Sequence, residues 1–185
     1  MKKGNIFTHL AAAIVVTILT ALIYASVQQV HRSSANDPQL QISRDISDKL
    51  NTQGGPIDKW FDNDSIDISR SLAVFTTLYN YKDEPVVSTG LLNGKKPSLP
   101  RGVFDFAKSR GENVFTWQPE SGVRVAVVLK SVQSPEYSFV AVGRSLLEVE
   151  KREKDLLTMT IISWLLSVGI IMLHWLIDYI VKRTT

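Results

Sequence analysis

The residues best suited to chemistry in this chain are three histidines, a short run of aspartates and a few arginines and lysines. His9, His31 and His174 all lie in or beside long apolar segments at the two ends of the sequence. The chain has no cysteine. Beyond its first few residues the central region therefore has no imidazole base and no thiolate, so neither a Ser-His-Asp nor a Cys-His arrangement can be assembled there. It also has no phosphate-cradling G-x-G-x-x-G loop and no G-x-x-x-x-G-K-[S/T] motif. These observations predict a protein that is not an enzyme and has no resident cofactor or metal.

Asp62, Asp64 and Asp67 put oxygen ligands at near-alternate positions in Asp62-Asn63-Asp64-Ser65-Ile66-Asp67. The run lacks the central glycine and closing glutamate of an EF-hand loop, so it reads as a solvated turn rather than a calcium site. A better binding candidate lies further on. Arg124, Ala126, Val128 and Lys130 alternate with apolar residues in a strand-like stretch and so share one face. Arg101, at the start of a short helix, is expected to approach the same side. Arg101, Arg124 and Lys130 together would clamp an anion such as a carboxylate, with Tyr79, Tyr81 or Trp117 as walls. The plainer alternative is that these are edge charges and core aromatics.

His174 and Asp178 are four residues apart and share a helix face. Ionisable groups inside a membrane span are costly and are functional candidates for that reason. Asp178 is also close to Lys182 and Arg183, with which it can pair. His9 and His174, one from each apolar segment, would be the axial pair of an intramembrane haem. The simpler reading makes them interfacial residues beside Trp164 and Trp175.

These residues must be positioned by a chain whose apolar content is concentrated at its ends. Residues 6–27 carry no formal charge, and residues 156–181 carry only Asp178. A membrane-crossing helix needs roughly 20 apolar residues to span about 30 Å of hydrocarbon. Both segments satisfy that length, which excludes a soluble cytosolic protein. The first has 22 residues, longer than a secretory h-region, and is expected to stay as an anchor.

The net charge of +3 resides entirely in Lys2, Lys3, Lys182 and Arg183 against Asp178, because residues 28–155 hold equal numbers of basic and acidic groups. Basic flanks mark the cytoplasmic side of a span. The expected organisation is a cytoplasmic tail at 1–5, a first span at 6–27, an extracytoplasmic domain at 28–155, a second span at 156–181 and a cytoplasmic tail at 182–185. A basic groove for nucleic acid is absent from this pattern.

Within the central region, Asp37-Pro38 is a helix start, and Leu40, Ile42, Ile46 and Leu50 recur at helical spacing until Gly54-Gly55-Pro56. A short piece carrying Trp60 follows. The stretches at 72–79 and 85–89 read as a hairpin, 100–109 as a helix closed by Gly111, and 113–117, 123–132 and 137–142 as three more strands. Ser145-Leu146-Leu147-Glu148 matches a capping box that opens a final helix running into the second span. From Ser145 to Val181 there is no proline and only one glycine, Gly169.

This order, and above all Tyr137-Ser138-Phe139-Val140-Ala141-Val142-Gly143-Arg144-Ser145-Leu146-Leu147-Glu148-Val149-Glu150, resembles the extracytoplasmic PAS-like (Cache or PDC) sensor domains of bacterial sensor histidine kinases and chemoreceptors. The resemblance covers roughly residues 35–155. It implies an α+β fold in which a long N-terminal helix precedes a five-stranded antiparallel sheet, with the last strand feeding the second transmembrane helix. It also implies a two-pass protein of the bacterial inner membrane that signals through a membrane partner or as a homodimer; it says little about ligand, and the small anionic ligand is expected from Arg101, Arg124 and Lys130 alone. The chain ends at Thr185 without a HAMP linker, kinase or methyl-accepting region, so the expectation is an input module whose output lies in another protein. The alternative is an assembly or docking subunit of a membrane complex.

Overall fold

The computed structural model describes residues 3–34, 36–53 and 65–184. These form two compact units, one made of Met1–Arg32 with Glu150–Thr185 and the other of Ser33–Val149.

The first unit is a pair of long helices, α1 (Lys3–Ser34) and α4 (Leu147–Thr184), which take their first or last few residues from the second unit. At 1.5 Å per residue they are about 48 and 57 Å long, and both are long and apolar enough to cross a membrane. Several of their hydroxyl groups are satisfied within the helix. The hydroxyls of Thr17, Thr160 and Ser167 each donate to the carbonyl four residues back, at 2.7–2.8 Å. This is how a hydroxyl is accommodated where no water is present. Side chains join the two helices at separated levels. The Trp164 indole N–H donates to Thr17 Oγ1 at 2.9 Å, and the Arg32 guanidinium meets the Glu153 carboxylate at 2.9 Å.

The second unit begins with α2 (Asp37–Gln53), which starts at the Asp37-Pro38 pair as its sequence predicts. Strands β1 (Ile66–Asp67), β2 (Phe75–Tyr79), β3 (Pro85–Ser88) and β4 (Gly90–Leu91) follow. Next come α3 (Arg101–Arg110) and strands β5 (Glu112–Glu120), β6 (Val123–Ser131) and β7 (Phe139–Ser145). Five strands form one antiparallel sheet in the order β3-β2-β7-β6-β5. The last strand in sequence is therefore the central one, and its first five residues are buried. The expected α+β class, the five-stranded antiparallel sheet and the helix on each side of it in sequence are all present. The expected strands and helices differ from the observed ones only by a few residues at their ends. Gly54-Gly55-Pro56 and the piece carrying Trp60 lie outside the described residues.

Each face of the sheet is covered by one helix, because strand side chains alternate. Phe75, Tyr79, Val125, Val127, Leu129, Phe139 and Ala141 point to one side and pack with Phe104 and Ala107 of α3. Leu78, Val140 and Val142 point to the other and pack with Ile42, Ile46 and Leu50 of α2. Gly111 closes α3 in the left-handed conformation at φ 81°, and its N–H donates to the Ala107 carbonyl. The short parallel pair β1–β4 has no counterpart in the sequence reading, since two residues are too few to carry a periodic signal.

Candidate functional site

The five residues expected to form an anion site are divided between the two faces of the sheet. Tyr79 and Trp117 belong to the α3 face, where both are buried in the core. The Tyr79 hydroxyl donates to the Pro97 carbonyl at 2.8 Å, and burial pushes its ionisation well above the ordinary tyrosine range. Trp117 pairs in register with Val125. Arg124 and Lys130 are on β6 positions of opposite parity to Val125, Val127 and Leu129, which places them on the α2 face. Arg101 opens α3 and is exposed. It starts a helix packed on the face opposite to Arg124 and Lys130, so the expected approach of Arg101 to their side does not occur. The spacing of Arg124 and Lys130 correctly put them on one face. Which face each helix would cover could not be read from spacing.

The α3 face is filled by side chains. The rings of Tyr79 and Phe104 lie 5.1 Å apart, and those of Phe104 and Phe139 lie 5.3 Å apart, both edge-to-face. Phe75 occupies the remaining space above Gly143 and Gly90, where an added Cβ would overlap its atoms. On the α2 face, Glu112 stands between two cations, 3.7 Å from Lys130 and 3.8 Å from Arg44. Lys130 is thus neutralised by a carboxylate of the neighbouring strand.

The exit from the sheet is held by Arg144. Its Nε donates to the Leu72 carbonyl at 3.2 Å, and its Nη2 meets Glu148 Oε2 at 3.3 Å. Ser145 Oγ accepts the Leu147 N–H at 3.3 Å, which is the serine half of the expected capping box, while the Glu148 carboxylate meets Arg144. Sequence reasoning missed Arg144. Its signal was an arginine four residues before Glu148 in the segment that carried the family resemblance.

Of the aspartate run, Asp67 lies among the described residues, whereas Asp62 and Asp64 do not. Asp67 Oδ1 accepts from both the N–H and the hydroxyl of Ser69, at 2.9 and 2.7 Å, and these bonds hold its carboxyl below the usual range. Arg70 lies 3.8 Å away. The Asp67 carboxylate closes a local turn with Ser69, and the rest of the expected turn lies outside the described residues.

The pair of long helices brings together residues that the sequence separates by most of its length. His9 Nε2 of α1 is 3.7 Å from Asp178 Oδ2 of α4, and the rings of His9 and His174 have centroids 5.3 Å apart at 51°. One ligand atom from each of His9, His174 and Asp178 falls within 4.8 Å of the others. Lys182 Nζ reaches the same Asp178 oxygen at 3.8 Å. The expected approach of His9 to His174 is thus present, with Asp178 beside both rings.

No protein-family model matches the chain, and no curated protein matches its sequence.

Proposed function

We propose that this chain is a non-enzymatic membrane-anchored relay. Its α+β domain would stand outside the bacterial inner membrane, its two spans would cross it with both termini in the cytoplasm, and a partner would read its state. The observation that carries this reading is the direct passage from the central strand β7 into α4, pinned by Arg144 at the turn. Helix α4 continues without interruption to Thr184. A shift of the sheet registered at β7 therefore has a covalent and hydrogen-bonded route into the span. The order of elements also fits the architecture implied by the PAS-like sensor resemblance.

A second reading, a docking subunit of a membrane complex, is favoured by the aromatic filling of the α3 face. In that reading the signal enters through protein contact rather than through a small anion. Both readings require a partner, and they differ in whether the phase of α4 matters.

Insertions after Glu150 separate them. Four residues rotate the following helix by a net 40° or so and lengthen it by about 6 Å, whereas two rotate it by about 200°. A relay should keep its in-cell cross-links to a membrane partner with the first insertion and lose them with the second, at equal expression. Equal recovery in both would establish a passive anchor. Absence of any partner cross-linked to the unaltered chain would overturn both readings.

A further inference from the structure

We propose that His9, His174 and Asp178 form a binding site for a divalent transition-metal ion that bridges α1 and α4. Two of the chain's three histidines and the one carboxylate of residues 156–181 converge here from opposite ends of the sequence. His174 and Asp178 are one helical turn apart on α4 and project from the same face. His9 comes from α1 and completes the set.

The geometry is close to that of a bound ion. Ligands held at about 2.0–2.1 Å around a tetrahedral zinc lie about 3.4 Å from one another. The His9 Nε2 to Asp178 Oδ2 separation of 3.7 Å is near that value, and the widest spacing in the group, 4.8 Å, closes by rotation of side chains. The rings are tilted at 51°, not stacked, so a nitrogen of each can face a common point.

The donor set selects the ion. Two imidazole nitrogens with one carboxylate suit zinc and its late transition-metal neighbours, whereas magnesium and calcium prefer all-oxygen shells. Three protein ligands leave a fourth position for water or another donor. Asp178 is the anionic member of the set: an ionisable group in an apolar helix is a functional candidate because it is costly there, and its carboxylate stands 3.7 Å from His9 and 3.8 Å from Lys182. The site belongs to the helix pair alone and does not depend on what the other unit senses.

The test uses the full chain in detergent without a histidine tag, stripped of metal by a chelator and titrated with Co2+. Visible absorption reports ligation, elemental analysis reports stoichiometry, and Zn2+, Mg2+ and Ca2+ serve as competitors. The expected result is one Co2+ per chain, displaced by Zn2+ and not by equal concentrations of Mg2+ or Ca2+. His9→Ala, His174→Ala and Asp178→Asn should each weaken binding by at least about tenfold, the scale on which even supporting residues of metal sites act, while His31→Ala leaves it unchanged. If His9→Ala does not fold, His174→Gln decides the matter alone, because His174 is exposed on α4. Unchanged affinity in the His174 variants, equal loss in His31→Ala, or equal displacement by Mg2+ would each overturn the proposal and leave a simple polar contact between helices.

Discussion

Arg144 and Glu148 meet at 3.3 Å across the single turn in which the central strand becomes the final helix. The same guanidinium holds the Leu72 carbonyl just ahead of β2, which pairs with β7 along its whole length. One side chain thus fastens the entrance of β2 to the exit of the central strand β7. Arg144→Ala removes both contacts. The ion pair is half-buried and single-bonded and contributes modestly to stability, so the full chain should lose no more than about 1–2 kcal/mol, most of it from the bond to Leu72. Chemical denaturation checks this, and a larger loss would mean that Arg144 is chiefly a folding residue.

A methyl group at Gly143 has no space. Gly143→Ala forces its Cβ into the Phe75 ring and should destabilise the domain by about 1–3 kcal/mol, the usual cost of overpacking. Combining it with Phe75→Leu should cost less than the sum of the two single changes, because the second relieves the overlap created by the first. Strict additivity in a denaturation double-mutant cycle would contradict the packing described.

The five residues whose types suggest an anion site should separate by stability. Trp117→Ala empties part of the α3-face core and should cost roughly 3–5 kcal/mol. Arg124→Ala and Arg101→Ala change exposed positions and should each cost less than about 1 kcal/mol. Thermal unfolding of the three variants in the full chain tests the division.

Alkaline pH should unfold the domain through Tyr79. Its hydroxyl is buried and bonded to Pro97, and its ionisation is raised above the ordinary tyrosine value of 10.0. Below that value both states keep the proton and the contribution is constant. Above it the unfolded chain loses the proton more readily than the folded one, so stability falls as pH rises. Tyr79→Phe should be less stable at neutral pH, because the Pro97 carbonyl loses its donor, but should show a shallower decline above pH 10. An identical slope in both proteins would assign the decline to other groups.

Much of the fold was legible because its signals are local. The Asp37-Pro38 start of α2, the left-handed Gly111 after α3 and the serine at the head of α4 each act within one turn of chain. Strand alternation likewise gave the common face of Arg124 and Lys130. The site was less legible because it depends on which helix covers which face. Tyr79 and Trp117 have the same side-chain chemistry whether they line a pocket or fill a core, and Phe75 above Gly143 decides between these only in three dimensions. The meeting of His9 with Asp178 was hidden for a similar reason. The pairing of α1 with α4 sets it, and no local periodicity records that register.

The expected topology is open to direct test. A reporter active only outside the cytoplasm should be silent when fused after Thr185 and active when inserted at the exposed Asn93-Gly94 turn, where both residues take positive φ. The reverse pattern would remove the arrangement on which the relay rests.

The most direct measurement of the relay reads α1 and α4 while the sheet exit is altered. The chain has no cysteine, so Thr17→Cys with Trp164→Cys, at positions that touch in the structure, gives a clean pair for a short bismaleimide in native membranes. Cross-linking rates are compared with and without Arg144→Ala at equal expression. If the relay account is correct, releasing Arg144 changes the rate severalfold although it lies far along the chain from both labels. An unchanged rate, with Arg144→Ala folded, would contradict the account and leave an anchored domain whose sheet does not inform its spans.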